Sequence, residues 1–232
     1  MPGMDTAFDL VIFDCDGVLV DSEMLSAGVL MGMMEEIGLP ITDAIFREDF
    51  LGRSFASAAA RASKRFGRNI PDDFQMRYRD RLLVQIEKHL EVMPGIEAVI
   101  KSLKVPICLA TSSSPQRLAA SLLKASLTRF FEGRSFTASQ VLHGKPAPDL
   151  FLLAINSMGA TPERSLIIED SEMGVRAGLA SGAVVWHFAG GSHIRAGYQL
   201  PSGLMAHRSM ANAAALHSAF QEIGLCGLSN AR

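Results

Sequence analysis

A short apolar run that ends in two closely spaced aspartates is the feature that most constrains the fold of this chain. Leu10–Phe13 is followed by Asp14, Asp16 and a glycine, which is typical of a buried strand that enters a tight turn. Open α/β sheets bind their ligands at the carboxyl ends of such strands. Side chains alternate along extended backbone, so we expect Asp14 and Asp16 to face one cleft. The alternative is a solvated turn, since Asp and Gly are ordinary turn residues.

The composition is that of a globular protein with a sizeable core. The 232 residues are 48% hydrophobic and 20% charged, which is enough for one large domain with a smaller appendage. A net charge of -2 provides no general attraction for nucleic acid or for anionic membranes, and no apolar run is long enough to span a bilayer. The three cysteines are far apart, which disfavours disulfides and zinc, and the N-terminus lacks the pattern of a signal peptide. We therefore expect a cytoplasmic protein with no nucleic-acid or membrane partner.

Strand-like and helical patterns alternate after residue 94, and this alternation indicates a mostly parallel sheet covered by helices on both faces. The first strand is expected at residues 8–14, and further strands at 105–110, 165–168 and 183–186. Helical spacing of apolar residues is found at 115–125, 148–158, 172–181 and 210–223.

Residues 22–92 differ from the rest because their patterns are helical and include no convincing strand. Helices are predicted at 24–37, 54–66 and 71–92, with Ser22 as a helix cap. We predict an α/β fold: a Rossmann-like, mostly parallel sheet with an inserted α-helical cap. Residues 1–20 and 94–232 are expected to form the core domain, and residues 21–93 the cap domain.

Polar residues follow the predicted strands and are expected to meet at one edge of the sheet. Thr111–Ser114 follows the strand at 105–110, Lys145 lies in a proline-rich loop, and Glu169 and Asp170 follow the strand at 165–168. Each group has an ordinary structural explanation: a helix cap, a solvated lysine, and an acidic start to a helix. Together with Asp14, they form a set of carboxylates, hydroxyls and an ammonium that suits a divalent metal and a phosphate.

These residues resemble the motifs of the haloacid dehalogenase superfamily, in the subgroup of phosphoglycolate phosphatases and β-phosphoglucomutases. The resemblance covers nearly the whole chain, including the helical insert that family members use as a cap. The four motifs occur in order as Asp14-x-Asp16-Gly17-Val18-Leu19-Val20-Asp21-Ser22-Glu23, Thr111, Lys145-Pro146-x-Pro148-Asp149, and Glu169-Asp170-Ser171-x-x-Gly174-x-x-Ala177-Gly178-x-x-Ser181-Gly182.

The resemblance implies a phosphatase that uses Mg²⁺ and forms an aspartyl-phosphate. Asp14 would attack phosphorus, Asp16 would act as general acid and then base, and the backbone N–H of Ser112 would bind the phosphoryl group. The implied catalytic residues are Asp14, Asp16, Thr111 and Lys145. The implied Mg²⁺ ligands are Asp14, the backbone carbonyl of Asp16, Glu169 and Asp170.

The substrate is expected to be a small phosphorylated metabolite, with sugar phosphates as the favoured class. Candidate residues for reading the leaving group are Glu23 and Arg53, although Arg53 is equally explained as a surface charge. His193 lies in a loop where an incidental role is the simpler interpretation.

One position after the first motif bears on whether the phosphoryl group is transferred to water, as in a phosphatase, or back to a sugar, as in a mutase. β-Phosphoglucomutases carry a histidine where this chain has Ser26, so simple hydrolysis is favoured over the alternative of a phosphosugar mutase. A catalytically silent binding protein is a further alternative, which the intact motifs disfavour. We expect a monomer or weak homodimer, and the sequence does not name the substrate.

Overall fold

The computed structural model describes residues 8–50, 55–194 and 198–226. Six strands form one parallel sheet in the order β3-β2-β1-β4-β5-β6. The strands are β1 (Leu10–Phe13), β2 (Ile107–Thr111), β3 (Ser135–Thr137), β4 (Ser165–Glu169), β5 (Val184–Phe188) and β6 (Arg208–Met210).

Strand β1 occupies the centre of the sheet because it is apolar on both faces. Val11 pairs with Ile107 of β2 on one side and with Leu166 of β4 on the other. Strands covered on both faces are continuous apolar runs, and every residue of β1 is buried. The chain runs from β1 to β2 and β3 in one direction and returns to β4 on the opposite side of β1. The carboxyl end of β1 therefore lies at the point where the strand order reverses, which is where open α/β sheets bind ligands.

Core helices cover both faces of the sheet, and the period of two along β1 decides which face each residue joins. Val11 and Phe13 belong to one apolar cluster, and Leu10 and Ile12 belong to the other. The first cluster includes residues of α5 (Ile96–Ser102), α6 (Pro115–Lys124), α7 (Thr128–Phe131) and α10 (Ala213–Glu222). The second includes residues of α8 (Asp149–Ser157) and α9 (Glu172–Ala180).

Four helices between β1 and α5 form the predicted helical insert: α1 (Glu23–Glu36), α2 (Asp43–Asp49), α3 (Phe55–Phe66) and α4 (Phe74–His89). They share an apolar cluster of their own that contains Met33, Phe46 and Phe74. The two chain crossings lie side by side, since the Asp21 N–H donates to the Glu91 carbonyl at 2.9 Å and the Met93 N–H to the Leu19 carbonyl at 2.9 Å. The predicted fold class, a Rossmann-like parallel sheet with an inserted helical cap, is confirmed.

Several short elements depart from the sequence-based expectations. Helices α2, α5 and α7 have seven residues or fewer and strands β3 and β6 have three each, which is too short for a helical or strand pattern to be recognised. Met210, expected in the last helix, ends β6 instead, and Asn212 caps α10 by accepting from the Ala215 N–H at 2.9 Å. Ser22 occupies the N-cap position of α1 but makes no side-chain capping bond, because its hydroxyl donates to Asp16.

In the ranges that the structure describes, no helix combines the length and apolar character needed to cross a bilayer.

Candidate active site

The carboxyl ends of three neighbouring strands bring the predicted polar residues together. Asp14 follows β1, Thr111 is the last residue of β2, and Glu169 and Asp170 end and follow β4. The Asp14 N–H donates to the Ile168 carbonyl at 3.0 Å, which extends the pairing of β1 with β4 into the site. Because these strands are adjacent and parallel, residues more than 150 positions apart become neighbours.

Lys145 joins this group from the loop before α8 and lies between two carboxylates. Its ammonium donates to Asp14 Oδ1 at 2.6 Å, to Glu169 Oε1 at 2.7 Å and to the Ala110 carbonyl at 3.0 Å. The side chain is 4% exposed and packs over the ring of Phe151. Burial acts to lower the pKa of Lys145, but the two carboxylates outweigh burial and raise it above its usual value. Lys145 is therefore a permanently charged part of the site.

Three buried carboxylates, Asp14, Glu169 and Asp170, form what we call the acidic triad. Each offers an oxygen within 4.8 Å of the others. Burial raises the pKa of Asp14 and of Asp170, and the neighbouring acids of the triad raise both further. When all three are ionised, Lys145 balances one charge and two remain. Hard carboxylate oxygens with uncompensated negative charge are suited to a divalent cation such as Mg²⁺.

Two glycines permit the close approach on which the triad depends. Gly17 has a φ of +79°, and a Cβ there would lie 1.9 Å from Asp170 Oδ2. A Cβ on Gly174 would lie 1.6 Å from Glu169 Oε1. Both glycines belong to the motifs found in the sequence, and the structure supplies the steric reason for them.

His193 lies inside the site although the sequence favoured an incidental loop position. Its Nε2 is 3.1 Å from Asp170 Oδ2, and its side chain is buried. The loop after β5 is fixed there in part by Ser192, whose N–H and hydroxyl donate to Asp21 Oδ1 at 3.2 and 2.9 Å. His193 therefore contacts a member of the acidic triad, and no sequence spacing indicated this contact.

The Asp16 carboxylate binds a different cation from Asp14. Asp16 Oδ1 accepts from Arg117 Nη2 at 2.7 Å and from the Ser22 hydroxyl, and Oδ2 accepts from the Ser113 hydroxyl at 2.5 Å. Burial acts to raise the pKa of Asp16, but Arg117 and the two hydroxyls outweigh burial and lower it. Both aspartates line one cavity, as the alternation along the strand predicts.

The remaining predicted residues are placed as follows. Thr111 is buried and its Oγ1 accepts from the Ser113 N–H at 3.1 Å, while Ser112 is exposed on the cavity wall. Glu23, the first residue of α1, lies 4.0 Å from Arg117, and burial raises the pKa of its carboxyl. Arg53 lies outside the described residues. The helix-cap explanation of the Ser/Thr cluster holds for Ser114, which accepts from the Arg117 N–H at 3.3 Å.

A cavity of about 860 Å³ connects these groups to the cap. The core side is polar and contains the acidic triad, Asp16 and Lys145. The cap side is lined by apolar residues, among them Leu30, Phe46, Phe50 and Leu82, and by polar residues that include Glu23, Gln75 and Arg79.

Arg117 is a functional-site residue outside the sequence motifs, and Ser113 was expected only as a member of the Thr111–Ser114 group. One signal for Arg117 was present, because it lies in the first turn of α6, where the helix dipole disfavours a cation. A basic residue in that position indicates a nearby acid, although the sequence alone does not say which one.

A parallel α/β sheet whose switch point gathers an acidic triad and a buried lysine beneath a helical cap defines a hydrolase of the phosphoryl-transfer class. The family model described as haloacid dehalogenase-like hydrolase matches residues 8–182, and the chain belongs to this family.

Named relatives agree with this assignment. The 6-phosphogluconate phosphatase of Escherichia coli (strain K12) is 24% identical over 186 residues, which cover 80% of this chain and 84% of the relative. The phosphorylated carbohydrates phosphatase of Thermotoga maritima is 28% identical over 177 residues, covering 75% and 82%. A solved HAD family hydrolase from Deinococcus radiodurans R1, with bound phosphate and sodium, is 32% identical, covers 96% of this chain and 99% of that one, and has a TM-score of 0.76. The predicted family and the prediction of a phosphatase are confirmed.

Proposed function

We propose that this phosphatase depends on Mg²⁺ and hydrolyses a small phosphorylated metabolite, with sugar phosphates as the favoured class, through an aspartyl-phosphate at Asp14. The observation that carries the proposal is the convergence of Asp14, Glu169 and Asp170 on one point, with Lys145 on Asp14. A nucleophile placed among metal-binding carboxylates and a fixed ammonium suits attack on an anionic phosphate.

In the first step, an Asp14 carboxylate oxygen forms a bond to phosphorus while the bond from phosphorus to the leaving oxygen breaks. A protonated Asp16 gives its proton to the departing oxygen, and the alcohol leaves. In the second step, a water attacks the phosphorus of the aspartyl-phosphate and Asp16 accepts its proton. Inorganic phosphate then departs and Asp14 is restored as a carboxylate.

Mg²⁺ fits the residues present, because the triad keeps two negative charges that Lys145 does not balance. Asp14, the Asp16 backbone carbonyl and Asp170 would hold the ion. Glu169 would act directly or through water, since its Oε1 binds Lys145 and its Oε2 accepts from the Ser171 N–H and hydroxyl at 2.8 and 3.0 Å. The bound ion would offset the repulsion between the phosphate and the Asp14 carboxylate, which is about 4 kcal/mol at 4 Å and an effective dielectric near 20.

The phosphoryl oxygens would be bound by the Thr111 hydroxyl, the Ser112 backbone N–H and Lys145, all of which line the cavity. Phosphoryl transfer is largely positioning and charge stabilisation, so this small set is sufficient in kind. Glu23 and Arg53 remain the proposed contacts to the leaving group. Two relatives named for 6-phosphogluconate and for phosphorylated carbohydrates support the sugar phosphate class.

The test is phosphate release from a panel of phosphorylated metabolites, with and without Mg²⁺. We expect release from sugar phosphates that requires Mg²⁺ and is abolished by Asp14→Asn. Asp9→Asn is the matched control, because Asp9 is an exposed partner of Arg164 far from the site.

Label from a ³²P-substrate should be trapped on the wild type and be removed by hydroxylamine, as expected of an acyl phosphate. Turnover that survives Asp14→Asn would contradict the assigned nucleophile.

A hexose 1-phosphate separates hydrolysis from the mutase alternative. Free phosphate supports hydrolysis, whereas a rearranged 6-phosphate would show phosphoryl return to the sugar. The position occupied by Ser26 favours hydrolysis, and we expect phosphate as the product.

We also propose the domain limits predicted from the sequence, with residues 1–20 and 94–232 as the core and 21–93 as the cap. They are supported by the separate apolar cluster of the cap helices and by the paired crossings near Val20 and Val92. The cytoplasmic location and the monomer or weak homodimer stay predictions.

A further inference from the structure

Arg117 is a largely buried cation that the phosphatase mechanism does not yet use. It lies on α6, its side chain is 21% exposed, and its Nη2 is 2.7 Å from Asp16 Oδ1. The same nitrogen donates to the hydroxyls of Ser22 and Ser26 at 3.2 and 3.1 Å. The guanidinium thus binds the core carboxylate of Asp16 and also links a core helix to the start of the cap through the hydroxyls of Ser22 and Ser26.

The contact with Arg117 provides the positive charge beside the Asp16 carboxylate. Among the residues that the structure describes, Arg117 is the only cation within ion-pair distance of Asp16. The other two partners, Ser22 and Ser113, are neutral hydroxyls. Without the guanidinium, a buried carboxylate would remain near Asp14 and Glu23 with no positive charge beside it, and its orientation would no longer be determined by a charged partner.

Arg117 is paired with two carboxylates, and its shorter contact is with Asp16. Asp16 lies at 2.7 Å and Glu23 at 4.0 Å, so two carboxylates share one guanidinium. The hydrogen bonds to Asp16, Ser22 and Ser26 all come from Nη2, while Nε has no hydrogen-bond partner among the residues that the structure describes.

We propose that Arg117 is a positioning residue that orients the Asp16 carboxylate for proton transfer, in its role as base in the second chemical step. This inference rests on the proposed role of Asp16 as general acid and base. In this proposal Arg117 acts through Asp16 and is given no direct contact with the phosphoryl group or the leaving oxygen.

The first test is a double-mutant cycle with 4-nitrophenyl phosphate and Mg²⁺. Arg117→Met is expected to lower kcat about 10- to 100-fold without raising KM, because misorientation of a proton-transfer group costs that much. Arg117→Lys should recover part of the loss. In the Asp16→Asn background, Arg117→Met should change kcat by less than about twofold, since residues that act through one another are not additive. Arg129→Met, which removes an exposed partner of Glu97, is the control and should be neutral.

The second test does not depend on residual turnover of Asp16→Asn. Nitrophenolate departs with little need for protonation, whereas the second step needs Asp16 as base. A rapid-mixing experiment on Arg117→Met should therefore show a burst of about one equivalent of nitrophenolate, followed by a slow steady state.

Three results would overturn the inference: the same loss from Arg117→Met in both backgrounds, a raised KM with unchanged kcat, or a variant without a burst whose two steps slow equally. Thermal unfolding of each variant identifies loss of folded protein, and rates are taken per folded enzyme. If Asp14→Asn stays active, the proposed function fails; if Asp14→Asn is inactive and Arg117 acts independently of Asp16, only this inference fails.

Discussion

Replacing Lys145 with methionine removes the cation between Asp14 and Glu169 and keeps an unbranched side chain against Phe151. The ammonium lies 2.6 and 2.7 Å from the two carboxylates and is 4% exposed. Breaking a buried ion pair by removing one partner costs about 3–5 kcal/mol, because the remaining charge stays buried. That is a large part of the roughly 5–15 kcal/mol that stabilises a typical protein. In a chain of this size it corresponds to a fall in Tm of about 6–20 °C.

The loss of stability should depend on pH with a definite sign. The pKa of Asp14 is raised in the fold, and removing Lys145 raises it further. A carboxyl with a raised pKa contributes stability that is present below its unfolded pKa and is lost as the pH rises through its folded pKa. The difference between Lys145→Met and wild type should therefore shrink when the pH is lowered from about 8 to about 5.

Urea denaturation in EDTA and in Mg²⁺ measures the effect. We expect the full deficit in EDTA and a smaller one in Mg²⁺, because the ion replaces the missing positive charge. Lys101→Met is the matched control, since Lys101 forms an exposed pair with Glu97 and should change the free energy of unfolding by less than about 0.5 kcal/mol. Turnover of Lys145→Met at saturating Mg²⁺ should fall about 10²- to 10³-fold. Equal stabilities of the two lysine variants in EDTA, or near-native turnover, would refute the reasoning.

Two further variants test the triad and its glycine. Asp170→Asn should raise the free energy of unfolding in EDTA at neutral pH, since burial and Glu169 raise the pKa of Asp170 and the charged form is costly. The same variant should lose the Mg²⁺-dependent rise in Tm, and a metal response like that of the wild type would contradict its place in the site. Gly17→Ala should abolish Mg²⁺ binding by calorimetry, because its Cβ would overlap Asp170 Oδ2. Gly67→Ala introduces similar left-handed backbone strain, but its Cβ would lie in open space. It should lower the free energy of unfolding by about 1–2 kcal/mol and leave Mg²⁺ binding intact. Equal Mg²⁺ binding by both glycine variants would show that the overlap at Gly17 is relieved.

Much of the fold could be predicted because strands buried on both faces are continuous apolar runs. This applies to β1, β2, β4 and β5, which form the middle of the sheet. The edge strands β3 and β6 have three residues each and depend on their neighbours for pairing, so local pattern did not indicate them.

The meeting of Asp14 and Asp170 was also predictable, because the carboxyl ends of parallel strands share one edge. Lys145 lies in a loop, and its place in the site was expected from the family motif that contains it. The steric reason for glycine at position 17 could not be predicted from the sequence. It depends on the position of Asp170 Oδ2, which lies 1.9 Å from where a Cβ on residue 17 would be.

The sequence by itself determined the parallel sheet, the helical insert and the residues that chemistry requires at the strand ends, since these follow from periodicity and from the order of the motifs. Only the tertiary structure decided how the charges are paired. Asp14 is bound by Lys145, Asp16 by Arg117, and Asp170 lies beside His193. The physical reason is that ion pairs depend on distance in space, and the partners of Asp14 and Asp16 lie more than 100 positions away along the chain.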